Sequence, residues 1–198
     1  SGNTWEAAVT ASAGALVNDD QTTVQVMENS AGGNWRCGRA YFHFNFAGIL
    51  AEGLRLKLLS AKLTLNVENR TISDTNSDIV KLFKSDVART SGLGTADFDQ
   101  FSTTVLSDSE KQITGTGAVD IPIDGPLLKY LEEEVGSAGS FNVFLRGKLD
   151  YDYGNQDDPT TTNRFQFSSD DNSTSGNKPK LEIIYEIRRY RRVRRGGA

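Results

Sequence analysis

Hydrophobic and polar residues alternate along most of this chain, a spacing typical of β-strands with one buried face. Within residues 39–46, Phe42, Phe44 and Phe46 occupy every second position, and more polar side chains stand between them. Leu63, Leu65 and Val67 repeat the pattern in the segment 58–69. The pattern predicts strands at residues 22–28, 39–46, 58–69, 78–85, 117–123, 140–148, 163–169 and 179–187. Half-buried strands joined by Gly, Asp, Asn and Ser turns favour an all-β fold, an antiparallel β-sandwich.

One segment, residues 124–136, predicts a helix instead of a strand. Asp124 stands at the N-cap position, Pro126 lies in the first turn, and Gly136 lies where a helix would end. The leucines between them fall on one face. We therefore expect one short helix that connects two strands across an end of the sandwich.

Three polar stretches predict exposed loops, at residues 28–38, 86–116 and 149–162. They are rich in the glycine and short polar residues that favour turns. Long loops in compact domains often carry function. These segments are therefore candidates for carrying function.

Charge divides the chain into a sandwich domain, residues 1–187, and an arginine-rich C-terminal tail, residues 188–198. The basic residues of the tail are Arg188, Arg189, Arg191, Arg192, Arg194 and Arg195. Because these are six of 22 basic residues and no acid follows Glu186, the domain keeps 16 basic against 26 acidic residues, or −10. Such asymmetry predicts different partners for the two parts.

The tail has three interpretations. Arginines pair with carboxylates on an acidic protein surface, neutralise nucleic-acid phosphates, or remain in a solvated, disordered tail. The acidic domain would repel phosphates, so nucleic acid is not an expected partner. We expect the tail to anchor the chain to the acidic surface of a larger, oligomeric assembly. No apolar run approaches the ~20 residues of a membrane-spanning helix, so no membrane span is expected.

The sequence offers little for catalysis, and we expect no enzyme activity. Nucleophilic catalysis by serine or cysteine needs a histidine base, but the one histidine, His43, lies mid-strand among phenylalanines. The one cysteine, Cys37, has no intrachain disulfide partner and is expected to be a small buried hydrophobe. One histidine and one cysteine exclude a His/Cys metal site.

A structural calcium ion is the one cofactor for which the sequence offers ligands. Asp150, Asp152, Asp157 and Asp158 stand close together in a segment rich in oxygen donors. Calcium takes six to eight oxygen ligands, and loops supply most of them. The alternative is turn chemistry, because Asp side chains also bind their own backbone.

Four aromatic residues are candidates for a sugar-binding platform: Trp35, Tyr41, Tyr151 and Tyr153. Trp35 lies in a glycine-rich stretch, and Tyr151 and Tyr153 flank Asp152. Exposed rings beside polar donors would suit a glycan. The alternative is structural, with tryptophans closing the sandwich ends and tyrosines covering its edge.

Taken in order, several motifs resemble the DNRLRE family, which is related to alginate-binding carbohydrate modules. Arg39 precedes the aromatic strand, and "SAKLTLNV" (60–67) follows it. "GAVDIPIDGPLLKYL" (117–131) resembles the family's strand-and-helix element, and "FQFSSDDNSTSGNKPKLEIIYE" (165–186) resembles its closing signature. The similarity spans residues 5–187. It implies a jelly-roll sandwich without a catalytic role, as found in secreted polysaccharide enzymes, surface proteins and phage structural proteins.

These observations lead to two functional hypotheses. The first is a non-catalytic structural module on a virion surface, a decoration or fibre-type protein docked through its basic tail. The alternative is a secreted, extracellular carbohydrate-binding module of an enzyme or adhesin, with glycans as partners. The arginine tail favours the first, because a carbohydrate module does not need one.

Overall fold

The computed structural model describes residues 5–11, 14, 22–31, 34–47, 55–73, 78–87, 94–137, 139–152 and 162–188. Within these ranges the strands are β1 Thr23–Ala31, β2 Asn34–Gly38, β3 Ala40–Asn45, β4 Arg55–Thr71, β5 Ile79–Ser85, β6 Phe101–Leu106, β7 Lys111–Gln112, β8 Gly117–Ile123, β9 Ser140–Gly147, β10 Asn163–Ser168 and β11 Lys180–Arg188. The helices are α1 Trp5–Val9, α2 Gly125–Gly136 and α3 Lys148–Tyr151, with 3₁₀ turns at Thr95–Asp99 and Ser175–Asn177.

The strands form two sheets. Within each sheet, every described pair of neighbouring strands is antiparallel. The six-stranded sheet has the order β11-β4-β10-β1-β2, and β8 also pairs with β4. The five-stranded sheet has the order β3-β9-β5-β6, and β7 also pairs with β5. The predicted all-β antiparallel sandwich is therefore confirmed, and α2 lies where the connecting helix is predicted.

Alternate residues of the paired strands fill the space between the two sheets. Leu63 and Leu65 of β4 are fully buried, as are Val143 and Leu145 of β9. Phe167 of β10 joins them in one continuous core. The alternating hydrophobic residues in the sequence thus correspond to the side chains that face the other sheet.

Helix α2 closes one end of the sandwich through its buried face, Leu127, Leu131 and Val135. Asp124 is the residue before the helix, as the sequence predicts, but its side chain does not cap it. Its Oδ1 instead accepts hydrogen bonds from the backbone N–H groups of Asp108 and Ser109, at 2.7 and 3.1 Å. The helix also continues through Gly136, so the position predicted for its end belongs to its last turn.

The predicted exposed loops are wrong in part. Residues 28–38 include the end of β1 and all of β2, which pair with each other, and Glu28 is buried. The segment 86–116 contains a 3₁₀ turn, β6 and β7, and the segment 149–162 begins inside α3. In each case pairing or packing with distant residues outweighs a polar, glycine-containing composition.

A small second hydrophobic cluster lies beside the corner where β2 runs into β3. It contains Trp5, Val9 and Leu149, with Cys37 packed against it. The indole Nε1 of Trp5 donates to the carbonyl oxygen of Leu149 at 3.2 Å. Two short helices, α1 and α3, are thereby fixed to each other outside the main core.

Candidate functional site

A buried ion-pair network lies where β9 runs into α3. Arg146 near the end of β9 donates from Nε to Asp150 Oδ2 at 2.8 Å and from Nη2 to Asp150 Oδ1 at 2.9 Å. Its Nη2 also donates to the carbonyl oxygen of Asp150 at 3.0 Å. The short step from strand to helix places both side chains on the same side of the sheet. This gives a two-pronged guanidinium–carboxylate pair.

A second arginine, Arg39, binds the same carboxylate although it is 111 residues away along the chain. Arg39 donates from Nε to Asp150 Oδ2 at 2.8 Å and from Nη2 to Oδ1 at 2.7 Å. It also donates to the carbonyl oxygens of Phe98, at 2.7 Å, and Val9, at 2.8 Å. Arg39 therefore ties α1 and the 3₁₀ turn at Thr95–Asp99 to α3. We call Arg39, Arg146 and Asp150 the arginine–aspartate centre.

Aromatic rings enclose the two guanidinium groups. The Cζ atom of Arg39 lies 4.0 Å from the ring centroid of Phe98 and 4.7 Å from that of Phe101. The Cζ atom of Arg146 lies 3.9 Å from the centroid of Phe101 and 4.8 Å from that of Phe83. Cation–π contacts of this kind strengthen when water is excluded. The rings thus hold the charges in place and shield them from solvent.

The centre is buried, and its charges compensate one another. The side chains of Arg39 and Asp150 are 1% and 0% exposed. Burial by itself would raise the pKa of Asp150, but the charges of Arg146 and Arg39 and their hydrogen bonds hold that pKa well below its usual range. The backbone N–H of Asp150 donates to Glu28 Oε1 at 3.0 Å. Because both carboxylate oxygens are taken up by guanidinium donors, the arrangement acts as a structural clamp.

This placement argues against Asp150 as a calcium ligand, since a cation there would face two buried positive charges. Asp152 accepts a hydrogen bond from Lys148 Nζ at 3.2 Å. Asp157 and Asp158 lie outside the described residues. Within the ranges that the structure describes, no three His, Cys, Asp or Glu side chains are grouped so that they could hold a metal ion. Calcium binding by the remaining candidates stays a prediction.

The three described aromatic candidates for sugar binding each pack against another ring. Trp35 of β2 lies against Trp5, with ring centroids 6.3 Å apart. Tyr41 of β3 lies 5.3 Å from Phe144 and donates its hydroxyl to Asn142 Oδ1 at 2.8 Å.

Tyr151 of α3 lies 5.6 Å from Phe83, and its hydroxyl is buried. Burial raises the pKa of Tyr151, and the nearby Glu110 adds to the effect. Tyr153 lies outside the described residues. Each of the three described rings contacts a different ring, as the structural interpretation expects. Sugar binding stays a prediction.

The two residues considered for nucleophilic chemistry lie apart from each other. The Nδ1 atom of His43 is 2.6 Å from Asn142 Oδ1, and in the Nδ1-protonated tautomer it donates there. Cys37 belongs to the small cluster beside Trp5. Burial, and to a smaller extent the charge of Asp150, raises the pKa of the Cys37 thiol. A thiol with a raised pKa is a poor nucleophile.

A different kind of surface lies at the end of the last strand. Leu59, Ile184, Tyr185 and Ile187 are 47%, 53%, 48% and 52% exposed. Ile184, Tyr185 and Ile187 lie on β11 and Leu59 lies on the neighbouring strand β4, and the ladder between these strands is irregular between Ile184 and Tyr185. We call these four residues the C-terminal apolar patch. The strand ends at Arg188, and the other tail arginines lie outside the described residues.

Sequence reasoning missed the arginine–aspartate centre, although one signal pointed to it. Arg146 stands in "FNVFLRG", an almost continuous apolar strand that is expected to be buried. A buried arginine requires an acidic partner. The sequence could not identify that partner, because Asp150 also fits a loop or a calcium site.

Comparison with known proteins gives no family for the chain. No family model matches it, and no curated protein is similar to it. In the described part, none of the helices is both long and apolar enough to cross a membrane.

We expect Gly147→Ala to lower the free energy of unfolding by about 1–3 kcal/mol, the usual cost of overpacking a buried site. A Cβ atom on Gly147 would overlap Glu28 Oε1 and lie 2.8 Å from Glu28 Cδ. Glu28 is 2% exposed and holds the Asp150 backbone, so it has little room to move. Urea denaturation measures the loss.

Gly136→Ala is the matched control, because nothing lies within 4 Å of the added Cβ. In a helix this change is expected to leave stability unchanged or raise it. Equal denaturation midpoints for the Gly147→Ala variant and the wild type would show that Glu28 is not held rigidly.

Proposed function

We propose that this chain is a non-catalytic structural module of a surface assembly, held there by its C-terminal end. The observation that carries the proposal is the C-terminal apolar patch, which is followed directly by the arginine tail. Protein interfaces commonly combine an apolar, aromatic centre with arginine-rich contacts. The last strand and the tail together have that composition.

The charge distribution supports a protein partner over a nucleic acid. The domain before the tail carries 16 basic and 26 acidic residues, so its field repels phosphates. Phosphate contacts also need no exposed isoleucine or tyrosine. An acidic protein surface would pair with the arginines through forked hydrogen bonds while apolar groups cover the patch.

The class of assembly that we propose is a virion surface, with the chain as a decoration or fibre-type protein. The resemblance to the DNRLRE family supports this class, since that family includes phage structural proteins. The aromatic residues that would serve a carbohydrate module make packing contacts within the described structure. We therefore rank the virion hypothesis above the carbohydrate-binding alternative.

The test is rebinding to assemblies isolated from the source of the chain and stripped with concentrated salt. Full-length chain is expected to rebind at low salt and to be released as salt rises, because screening weakens exposed charge pairs. A chain ending at Ile187, and a variant with glutamine at the six tail arginines, should bind about tenfold or more weakly, a loss near 1.4 kcal/mol or more.

Lysine at the same six positions is the matched control, because it keeps the charge and loses the forked hydrogen bonds. Its binding should fall between that of the wild type and the glutamine variant. Full-length chain that does not rebind to any stripped assembly would contradict the proposal. Undiminished binding of the glutamine variant would contradict the role of the tail.

A further inference from the structure

Two arginines of the six-stranded sheet differ from the other arginines whose side chains the structure describes. Arg39, Arg70 and Arg146 each donate to a carbonyl or carboxylate oxygen of the domain. Arg36 of β2 and Arg164 of β10 make no hydrogen bond or ion pair with another described residue. The Nε atom of Arg164 is buried and has no acceptor. A charged donor that is buried without a partner costs free energy, so packing of the fold does not account for Arg164.

Both arginines lie on the outer face of the six-stranded sheet. Phe165 is buried in the core, so its neighbour Arg164 points away from the core by alternation. Arg164 lies opposite Met27 of β1. Arg36 lies opposite Asn29, two residues further along the same strand. Opposite residues share a face, and so do residues two apart, so the two arginines lie on one face, with their Cα atoms about 12 Å apart.

The residues around the two arginines are uncharged. Met27 is half-buried on the strand between them. Gln25, Gln166 and Asn69 form a row of amides in register across β1, β10 and β4. Among the described residues that face outward on β1, β2 and β10, none is acidic and none is lysine. We call this surface the outer arginine face; it consists of Gln25, Met27, Arg36, Asn69, Arg164 and Gln166.

The composition of the outer arginine face is that of a protein interface. Arginine and methionine are enriched at such interfaces, whereas lysine, glutamate and aspartate are depleted. Methionine also adapts its shape to a partner because its side chain is unbranched and flexible. Arg36 is exposed, and Met27 and Arg164 are half-buried, so all three can be reached from solvent.

We propose that the outer arginine face is a second protein-binding surface, at which Arg36 and Arg164 bind carboxylate groups of an acidic neighbour in the assembly. This surface adds a contact to the docking end of the proposed function, on which the proposal rests. Charge complementarity identifies the partner, because neither arginine has an acid of its own among the described residues. A carboxylate beside Arg164 would compensate its charge, as Asp150 does for two other arginines.

A glycan and a nucleic acid fit the outer arginine face less well. No aromatic ring on which a sugar or a base could stack is among its six residues. The residues before the tail include 26 acids against 16 bases, so the domain as a whole repels phosphates. Carboxylates presented by a protein therefore remain the best match.

Rebinding to the salt-stripped assemblies tests the outer arginine face in the full-length chain. Arg36→Gln and Arg164→Gln should each weaken rebinding about tenfold, because each removes forked hydrogen bonds to a carboxylate. Lysine at either position keeps the charge and loses the fork, so it should weaken rebinding less. Neither arginine is paired within the described fold, so the urea midpoints of both glutamine variants should not fall. A lower midpoint for Arg164→Gln would assign this arginine to folding and overturn its binding role.

Lys129→Gln is the matched control, because it removes one positive charge from an exposed position of α2. It should rebind like the wild type. Equal rebinding of the wild type, Arg36→Gln and Arg164→Gln would overturn the second surface and leave the proposed function standing. Equal weakening by Lys129→Gln would mean that net charge alone decides binding, which also overturns it.

Retention on immobilised polymers separates the kinds of partner and needs no assembly. The full-length variant with glutamine at the six tail arginines removes the contribution of the tail. In dilute salt, where charge pairs are least screened, this variant should be retained on poly-L-glutamate, and adding Arg36→Gln or Arg164→Gln should abolish the retention. No retention, or stronger retention on polygalacturonate or DNA, would overturn a protein partner. Arginine-dependent retention by a chain that never rebinds to assemblies would contradict the proposed function and leave the carboxylate-binding face standing.

Discussion

Asp150→Asn is expected to lower the free energy of unfolding by about 3–5 kcal/mol, the usual result of removing one partner of a buried ion pair. Asp150 is fully buried and accepts hydrogen bonds from Arg39 and Arg146 through both carboxylate oxygens. Asparagine would leave the two guanidinium groups close together without the buried carboxylate that both of them bind. In a chain of this size the melting temperature should fall by about 10 °C, as calorimetry can measure.

Asp120→Asn is the control, because Asp120 also pairs with a cation, Lys62, but its side chain is 50% exposed. It should leave the melting temperature nearly unchanged, since exposed pairs contribute little. The double variant Asp150→Asn/Arg146→Met should recover part of the loss, because it removes one of the two uncompensated charges. A wild-type midpoint for Asp150→Asn would show that the pairing is not stabilising.

The titration of the Asp150 carboxylate makes the free energy of unfolding depend on pH. The pKa of Asp150 is held well below its value in the unfolded chain, about 3.9. Its stabilising contribution is therefore complete above about pH 5 and is lost as the pH falls toward the folded-state pKa, by up to about 1.4 kcal/mol per pH unit. Urea midpoints between about pH 2 and 6 should fall more steeply for the wild type than for Asp150→Asn.

Trp5→Ala is the second large effect that we expect, a loss of about 3–5 kcal/mol as for other buried aromatic truncations. Trp5 is 3% exposed, contacts Trp35 and donates to the carbonyl oxygen of Leu149. The change should detach α1 and open the cluster that contains Cys37. The rate at which a thiol reagent labels Cys37 in the native protein should therefore rise with the loss of stability.

Tyr185→Ala is the control for Trp5→Ala, because it also removes an aromatic ring, but one that is 48% exposed. It should leave the labelling rate of Cys37 unchanged. It should also lower the free energy of unfolding much less than Trp5→Ala does. Unchanged labelling in the Trp5→Ala variant would mean that α1 does not protect the thiol.

The main sandwich could be predicted because its signal is local and repeated. The apolar positions of β4 alternate over many residues, β9 is apolar almost throughout, and the leucines of α2 recur on one helical face. The short elements could not be predicted in the same way. Strand β2, "NWRCG", has a glycine and few apolar residues, and it forms a strand because β1 pairs with it.

The arginine–aspartate centre shows a second limit of sequence reasoning. Arg39 and Asp150 are 111 residues apart, so nothing local links them. Spacing along the chain groups Asp150 with its acidic neighbours as shared calcium ligands. The three-dimensional structure groups it with two arginines instead. The ring type of Trp35, Tyr41 and Tyr151 makes them candidates for sugar binding, but ring type does not reveal the rings that pack against them.

The separation of Arg39 from Asp150 also bears on how the chain folds. Contacts between distant segments form late, because closing the loop between them costs entropy before the contact is made. The arginine–aspartate centre joins α1, β3, β9 and α3, so it is expected to assemble after the strands have paired. Interactions made after the folding barrier mainly slow unfolding. The centre would then set how long a folded molecule persists before it unfolds.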